Sequence, residues 1–243
     1  MLIEIWSDVV CPWCYIGKRR LEAALETFAH SDEVEIRYRS FQLDPSATRS
    51  LPDDEPGVAK HLAGKYGMSI VQAEEMVEHV TRTAAGEGLE FHQDQCLGRD
   101  TMDAHRLLHA AFEDGGSQLQ ADVKERFLRA YFTEGQRIDD LDVLRALALE
   151  AGMEADLVDT VLAGDRHADA VRADQADAAS LGANGVPFFV VDRRIGVSGA
   201  QPVEVFTQLL EQAWSQRQPI TVLAGSNNGA DGADACGPDG CAI

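Results

Sequence analysis

The hydrophobic pattern predicts an α/β protein whose sheet is assembled from both chain ends and interrupted by an all-helical insertion. Three observations lead there. A strand, a helix and a second strand fit within the first 43 residues. From about Gly57 to Gly164 every periodic segment then has helical spacing. Strand pattern returns only at residues 186–199, and one more amphipathic helix follows it.

Each element has its own signal. The run LIEIW, residues 2–6, reads as a short strand, and Cys11-Pro12 then begins a helix carrying Leu21, Ala24, Leu25 and Phe28 at helical spacing. In residues 34–43, Val34, Ile36 and Tyr38 alternate with Glu35, Arg37 and Arg39, which is strand period. Ser69 and Gln72 form a capping box before Ile70, Ala73, Val77 and Val80. Ala104, Leu107, Leu108, Ala111 and Phe112 make an apolar helical stripe. Separate helices are expected at Val123 to Phe132, Leu141 to Ala151 and Leu157 to Leu162. A helix at about His167 to Leu181 stops at Gly182, and two strands follow, joined at Asp192-Arg193. The last helix spans about Pro202 to Trp214. The expected organisation is thus a discontinuous sheet domain, residues 1–55 and 166–224, a helical insertion, residues 56–165, and a Gly-rich tail, residues 225–243, too poor in apolar side chains to fold unaided.

Composition limits the function. Among 243 residues, 45% are apolar, enough for a real core. Lys and Arg number 21 against 41 Asp and Glu, and the net charge of -20 repels phosphate backbones and anionic membranes alike. Neither nucleic acid nor membrane is an expected partner. Glu4 and Asp8 interrupt the kind of basic-then-apolar stretch that a secretory signal needs, and no apolar run of about 20 residues occurs. A cytoplasmic location is expected, where paired cysteines are more often catalytic or metal-binding than structural.

Two of the 5 cysteines, Cys11 and Cys14, flank Pro12-Trp13 just after the first strand. A structural zinc site needs four ligands, and Cys96, the distant Cys236 and Cys241, His105 and His109 supply no second knuckle, so no metal is expected. A redox-active dithiol explains the neighbours better. Pro12 suits the first helical position, which puts Cys11 at the cap, where free N–H groups and the helix dipole favour its thiolate. Cys14, one turn further in and more shielded, is placed to attack a mixed disulfide on Cys11. Trp13 either offers an apolar contact to a bound chain or covers helix surface. Pro187 at a strand start is the expected facing half of the site. A cis Val186–Pro187 bond would turn the backbone of Val186 toward Cys11, ready to pair with an extended substrate. A trans proline opening an edge strand is the alternative. Cys96 reads as a buried thiol.

The segments SDVVCPWCYIGKRRLE, TMDAHRLLHAA, AYFTEGQRIDDLDVL and GVPFFVVDRRIGVSGAQP together resemble the FrnE-type branch of the DsbA-like thioredoxin-fold oxidoreductases, over about residues 2–215. The resemblance implies a thioredoxin fold with a helical insertion, Cys11 as nucleophile, Cys14 as resolving cysteine and Pro187 as a cis-proline after Val186. Disulfide-containing proteins or small-molecule thiols are the implied partners. No cofactor is implied beyond the dithiol, with glutathione or a thioredoxin system as electron partner. His105 could line the substrate groove, although a helix-face histidine satisfied by a neighbour is the simpler account. Secreted DsbA oxidants carry histidine where this chain has Trp13, so disulfide reduction or isomerisation in the cytosol is expected rather than strong oxidation. In the tail, CGPDGC, residues 236–241, has turn chemistry that can bring Cys236 and Cys241 together, and the resemblance favours an accessory redox pair there. Two rivals stand beside this reading. One is a glutathione-dependent isomerase of the 2-hydroxychromene-2-carboxylate isomerase or kappa transferase type, which uses a single serine. The other is a holdase-like binder of unfolded chains.

Overall fold

The computed structural model describes residues 1–47, 57–96 and 100–217. The expected boundary at 55/56 and the tail beyond 224 lie outside them. Strand β1 (Leu2–Ser7) leads into α1 (Pro12–Thr27) and β2 (Glu35–Ser40). The helices α2 (Val58–Tyr66), α3 (Ile70–Gly86), α4 (Met102–Phe132), α5 (Leu141–Glu150), α6 (Ala155–Ala163) and α7 (Ala168–Ser180) follow. The hairpin β3 (Phe188–Val191) and β4 (Ile195–Ser198), then α8 (Val203–Ser215), end the described chain.

The four strands order as β2-β1-β3-β4, with β1 parallel to β2 and antiparallel to β3. Residues from opposite chain ends are therefore direct partners, Ile5 beside Phe189 and Trp6 beside Phe188. Strand alternation divides the faces. Ile3, Ile5, Phe189 and Val191 pack with Leu21 of α1 and with Phe206, Leu209 and Leu210 of α8. On the opposite face Trp6, Phe188 and Val190 meet Ala178 of α7, and Trp6 Nε1 donates to the Asp174 carbonyl at 2.8 Å. Glu4, on that same face, is 1% exposed and is neutralised by Arg39 and Arg193.

Asp192 and Arg193 both have positive φ, 47° and 54°, in the three-residue loop between the paired Val191 and Ile195, across which the Arg194 N–H donates to the Val191 carbonyl at 2.9 Å. Neither is glycine, so outside contacts must hold them. Asp192 accepts the Leu2 N–H at 2.8 Å, and Arg193 pairs with Glu4 and Asp177. Strand β2 lies at the edge of the sheet, and Gln120 of α4 closes off part of it. Its side-chain amide accepts the Tyr38 N–H at 2.8 Å and donates to the Tyr38 carbonyl at 3.0 Å, as a neighbouring strand would.

The helices share a separate apolar cluster, including Leu107, Phe127, Leu128, Phe132 and Val158, that also takes in Val9, Tyr15 and Ile16 around the start of α1. The helical layer thus reaches under the segment that carries the paired cysteines. The two expected helices, at 104–112 and 123–132, lie in the two halves of α4, which are separated at Gly116 by a non-helical φ of 67° and ψ of -159° that suit glycine. The capping box at Ser69 and Gln72 has both of its hydrogen bonds.

Candidate active site

Cys11 caps α1 in extended conformation, φ -94° and ψ 112°, with Pro12 at the first helical position. The Cys14 N–H donates to the Cys11 carbonyl at 3.0 Å, closing the first turn. Both cysteines carry free thiols. The Val186–Pro187 bond is cis, and the Cys11 thiol lies 3.6 Å from the Val186 carbonyl oxygen, to which it donates. The Pro187 carbonyl accepts the Gly199 N–H at 2.8 Å, which ties this loop to the end of β4. On its other side the proline ring rests on α1. A Cβ on Gly17 would fall 3.2 Å from Pro187 Cγ and 3.1 Å from Phe189 Cζ, so glycine permits the close approach.

Cys11, Pro12, Trp13 and Val186 line one wall of a cavity of about 430 Å³. Val77 and Val80 of α3 and Tyr131 and Phe132 of α4 contribute apolar lining, while His61 and Lys65 of α2 bring basic groups to it. Trp13 is half-buried, lines this space and packs against the helical cluster, with its ring 6.2 Å from that of His79. Of the two uses considered for it from sequence, covering helix surface is the one this packing carries.

Shielding does not separate the two cysteines as expected, because Cys11 is 3% exposed and Cys14 is 4%. What separates them is what they face. Cys11 lines the cavity, whereas Cys14 faces inward. Burial pushes the Cys14 thiol well above its ordinary range, and hydrogen bonding to Cys11 adds to that, with Lys124 and the Asp8 N–H opposing.

Asp8, just before the motif, is fully buried and spends its carboxylate on three donors. Oδ1 accepts the Val9 N–H at 2.8 Å and lies 3.1 Å from His105 Nε2, and Oδ2 accepts the Leu43 N–H at 2.8 Å. Burial alone would raise this carboxyl; His105, Leu43 and Lys124 outweigh it and hold it below its ordinary value. Burial likewise lowers the basicity of His105 despite Asp8 beside it. His105 thus supports the floor of the site and does not line the cavity.

Cys96 is buried as expected, yet it lines the same cavity. Its thiol lies within hydrogen-bonding reach of the His92 and Tyr131 carbonyls, at 3.5 and 3.4 Å, and burial pushes it up to about 12. So protonated a thiol is a poor nucleophile. Cys236 and Cys241 lie outside the described residues. Sequence reasoning missed Lys124, which is 1% exposed behind the cysteine pair; in DVKERF it reads as an ordinary surface cation.

Comparison with known proteins bears on the fold that carries these residues. The protein called a probable DsbA oxidoreductase from Streptomyces coelicolor is 46% identical, with a TM-score of 0.86 over 100% of this chain and 99% of that one. An uncharacterised protein of Bacillus subtilis, YwbO, is 25% identical over 86% of this chain and 94% of its own. The cytosolic disulfide reductase DsbM of Pseudomonas aeruginosa, in its structure with GSH, shares the fold at 22% identity, with a TM-score of 0.60 over 88% of this chain and 100% of that one. Residues 2–211 match the DSBA-like thioredoxin domain, and the chain belongs to that family of disulfide oxidoreductases.

Proposed function

We propose that the protein is a FrnE-type thiol–disulfide oxidoreductase that reduces or isomerises disulfides in the cytoplasm through the dithiol of Cys11 and Cys14. The observation that carries this reading is the placement of Cys11. It stands at a helix N-terminus, at the wall of an apolar cavity, 3.6 Å from the carbonyl that precedes a cis-proline. Helix N-terminal N–H groups stabilise a thiolate, and the Val186 carbonyl is an acceptor for the main chain of an extended substrate.

The chemistry balances without a cofactor. Cys11 thiolate attacks one sulfur of the substrate disulfide, forming a mixed disulfide and releasing the first substrate thiolate. Cys14 then attacks Cys11 Sγ. The Cys11–Cys14 bond forms, the second substrate thiolate leaves, and two electrons have passed from the dithiol to the substrate. A small thiol such as glutathione, or a thioredoxin system, restores the dithiol by the reverse exchange. The cavity has the volume of a small-molecule site, and His61 and Lys65 supply partners for carboxylates of a short thiol peptide. Trp13 bears no charge, which favours reduction and isomerisation over strong oxidation.

The isomerase reading loses support because Cys14 stands one turn behind Cys11, a resolving thiol that single-serine chemistry does not use. The test is Cys14→Ser. Incubated with glutathione disulfide or a disulfide-bonded peptide, this variant accumulates one adduct on Cys11, visible by intact mass, while wild type does not. A variant that collects no adduct and keeps wild-type turnover returns the reading to the isomerase. Retention of chaperone-like activity with both cysteines replaced by serine, and no reductase activity in wild type, supports the holdase.

A further inference from the structure

The Val186 carbonyl that faces Cys11 is held from one side only. Among the described residues, no backbone-to-backbone hydrogen bond fastens Asn184, Gly185 or Val186, whereas the Pro187 carbonyl accepts the Gly199 N–H at 2.8 Å. The aim of Val186 therefore depends on where the turn after β4 sits. That turn is tied together internally. The Gln201 N–H donates to the Gly199 carbonyl at 2.9 Å, and Gln201 Nε2 donates to the Ser198 carbonyl at 2.8 Å. A shift at Ala200 is thus passed on to Gly199 and through it to Pro187.

Arg20 fastens this turn to α1. Its Nη1 donates to the Ala200 carbonyl at 2.7 Å, while its Nε donates at 2.6 Å to Glu87, the residue that caps the end of α3. The ion pair is largely shielded from solvent, with Arg20 17% and Glu87 22% exposed. A planar guanidinium holds two acceptors in fixed directions at once, which an ammonium on a flexible stem does not. Gly17, three residues earlier on the same helix, lies under the Pro187 ring, and a Cβ there would meet Ala200 Cα at 3.5 Å. The helix that Cys11 caps therefore grips the turn twice, by close packing at Gly17 and by a charged hydrogen bond at Arg20.

We infer that Arg20, held by Glu87, is a positioning residue for peptide substrates: it sets the Val186 carbonyl where the main chain of an extended substrate pairs with it while the substrate sulfur meets Cys11. Arg20 does not line the cavity, so it acts through Ala200, Gly199 and Pro187 and not by touching the substrate. Its effect is confined to substrates that offer a main-chain N–H. A small disulfide without a peptide backbone does not use the carbonyl and does not register its displacement.

This role rests on the thiol–disulfide chemistry proposed above, and the test separates the two. Full-length Cys14→Ser protein, in which a mixed disulfide on Cys11 is not resolved, is mixed with hydroxyethyl disulfide, with a disulfide-linked peptide dimer, or with the same dimer N-methylated at its cysteine and both neighbours. Samples quenched in acid are read by peptide mass spectrometry for the Cys11 adduct. With Arg20 in place, N-methylation slows the peptide reaction by roughly fivefold, the worth of one main-chain hydrogen bond. Adding Arg20→Met lowers the ratio of the peptide rate to the hydroxyethyl disulfide rate by the same roughly fivefold, and N-methylation then has little further effect. A ratio that Arg20→Met leaves unchanged, as when Arg20 merely braces the fold and all three disulfides slow alike, overturns the role. So does an N-methyl effect that persists in Arg20→Met, or one that is absent with Arg20 in place. No Cys11 adduct from any of the disulfides, with Arg20 in place, removes the thiol chemistry itself. Should Arg20→Met fail to fold, Glu87→Gln in the same background decides: it frees one arm of the guanidinium and lowers the same ratio by roughly twofold, and an unchanged ratio overturns the inference.

Discussion

Replacing Gly17 with alanine should damage the site more than the fold. The new methyl group would sit 3.1 Å from Phe189 Cζ and 3.2 Å from Pro187 Cγ, both ring atoms with little freedom to move, while Ala200 Cα at 3.5 Å is an ordinary neighbour. Carbon atoms prefer about 3.5 to 4.0 Å, so both rings must retreat by several tenths of an ångström. Overpacking of this kind costs about 1 to 3 kcal/mol, whereas alanine at a mid-helix position returns about 0.5 to 1 kcal/mol of backbone entropy. The net loss is then about 1 kcal/mol, which for a chain of this size lowers Tm by about 2 to 4 °C. The displaced ring belongs to the loop that aims the Val186 carbonyl at Cys11, and small misplacements of a reacting geometry cost up to about a hundredfold in rate. We therefore expect disulfide reductase activity to fall by at least about tenfold in a protein that still melts cooperatively. Calorimetry and an insulin-reduction assay on the same preparation test this. A Gly17→Ala protein with a raised Tm and wild-type turnover would show that the contact between α1 and Pro187 is not what sets the site.

Further outcomes follow from the same geometry. A thiol ionising at the ordinary 9.0 is only about 1% thiolate at pH 7, and Cys14 is pushed above that. Brief iodoacetamide treatment of the reduced protein should therefore label Cys11, which lines the cavity, well before Cys14, and equal labelling by peptide mass spectrometry would contradict the assignment. Asp8 and His105 both ionise lower in the folded chain than in the unfolded one. On acidification the unfolded state takes up protons first, so stability is lost below about pH 6.5 through His105 and again below about pH 3.8 through Asp8. Asp8→Ala strands three donors, two of them fully buried, and should cost about 3 to 5 kcal/mol, with a chemical-denaturation midpoint to match. Trp13→His adds a cation beside the dithiol and should raise its reduction potential by about 30 mV or more from a starting value of about -180 to -270 mV, measured against glutathione buffers.

Local chemistry is what made parts of this molecule legible in the sequence. Pro12 after Cys11 could hardly signal anything but a helix start, and the alternation through Ile36 and Tyr38 fixed a strand and its faces. Pro187 was readable for the opposite reason, as a residue out of place in strand pattern. Non-local features were not readable. Lys124, Asp8 and Asp174 look like surface charges, and only the pairing of distant segments buries them. Cys96 joins the wall of the Cys11 cavity through the packing of α3 and α4, which no spacing in its own neighbourhood encodes.

The sheet order has a consequence for the protein's birth. Cys11 and the Val186 carbonyl it faces are 175 residues apart in sequence, and β1 finds its antiparallel neighbour only when β3 has been made. At about 5 to 20 residues per second, a ribosome needs roughly 9 to 35 s to synthesise that interval. Throughout it the nascent chain displays a paired dithiol with no cis-proline loop on which a client strand could be held. Competence to exchange disulfides therefore arrives late and all at once, when the final hairpin docks. A chain released before residue 187 would have cysteines but no enzyme around them.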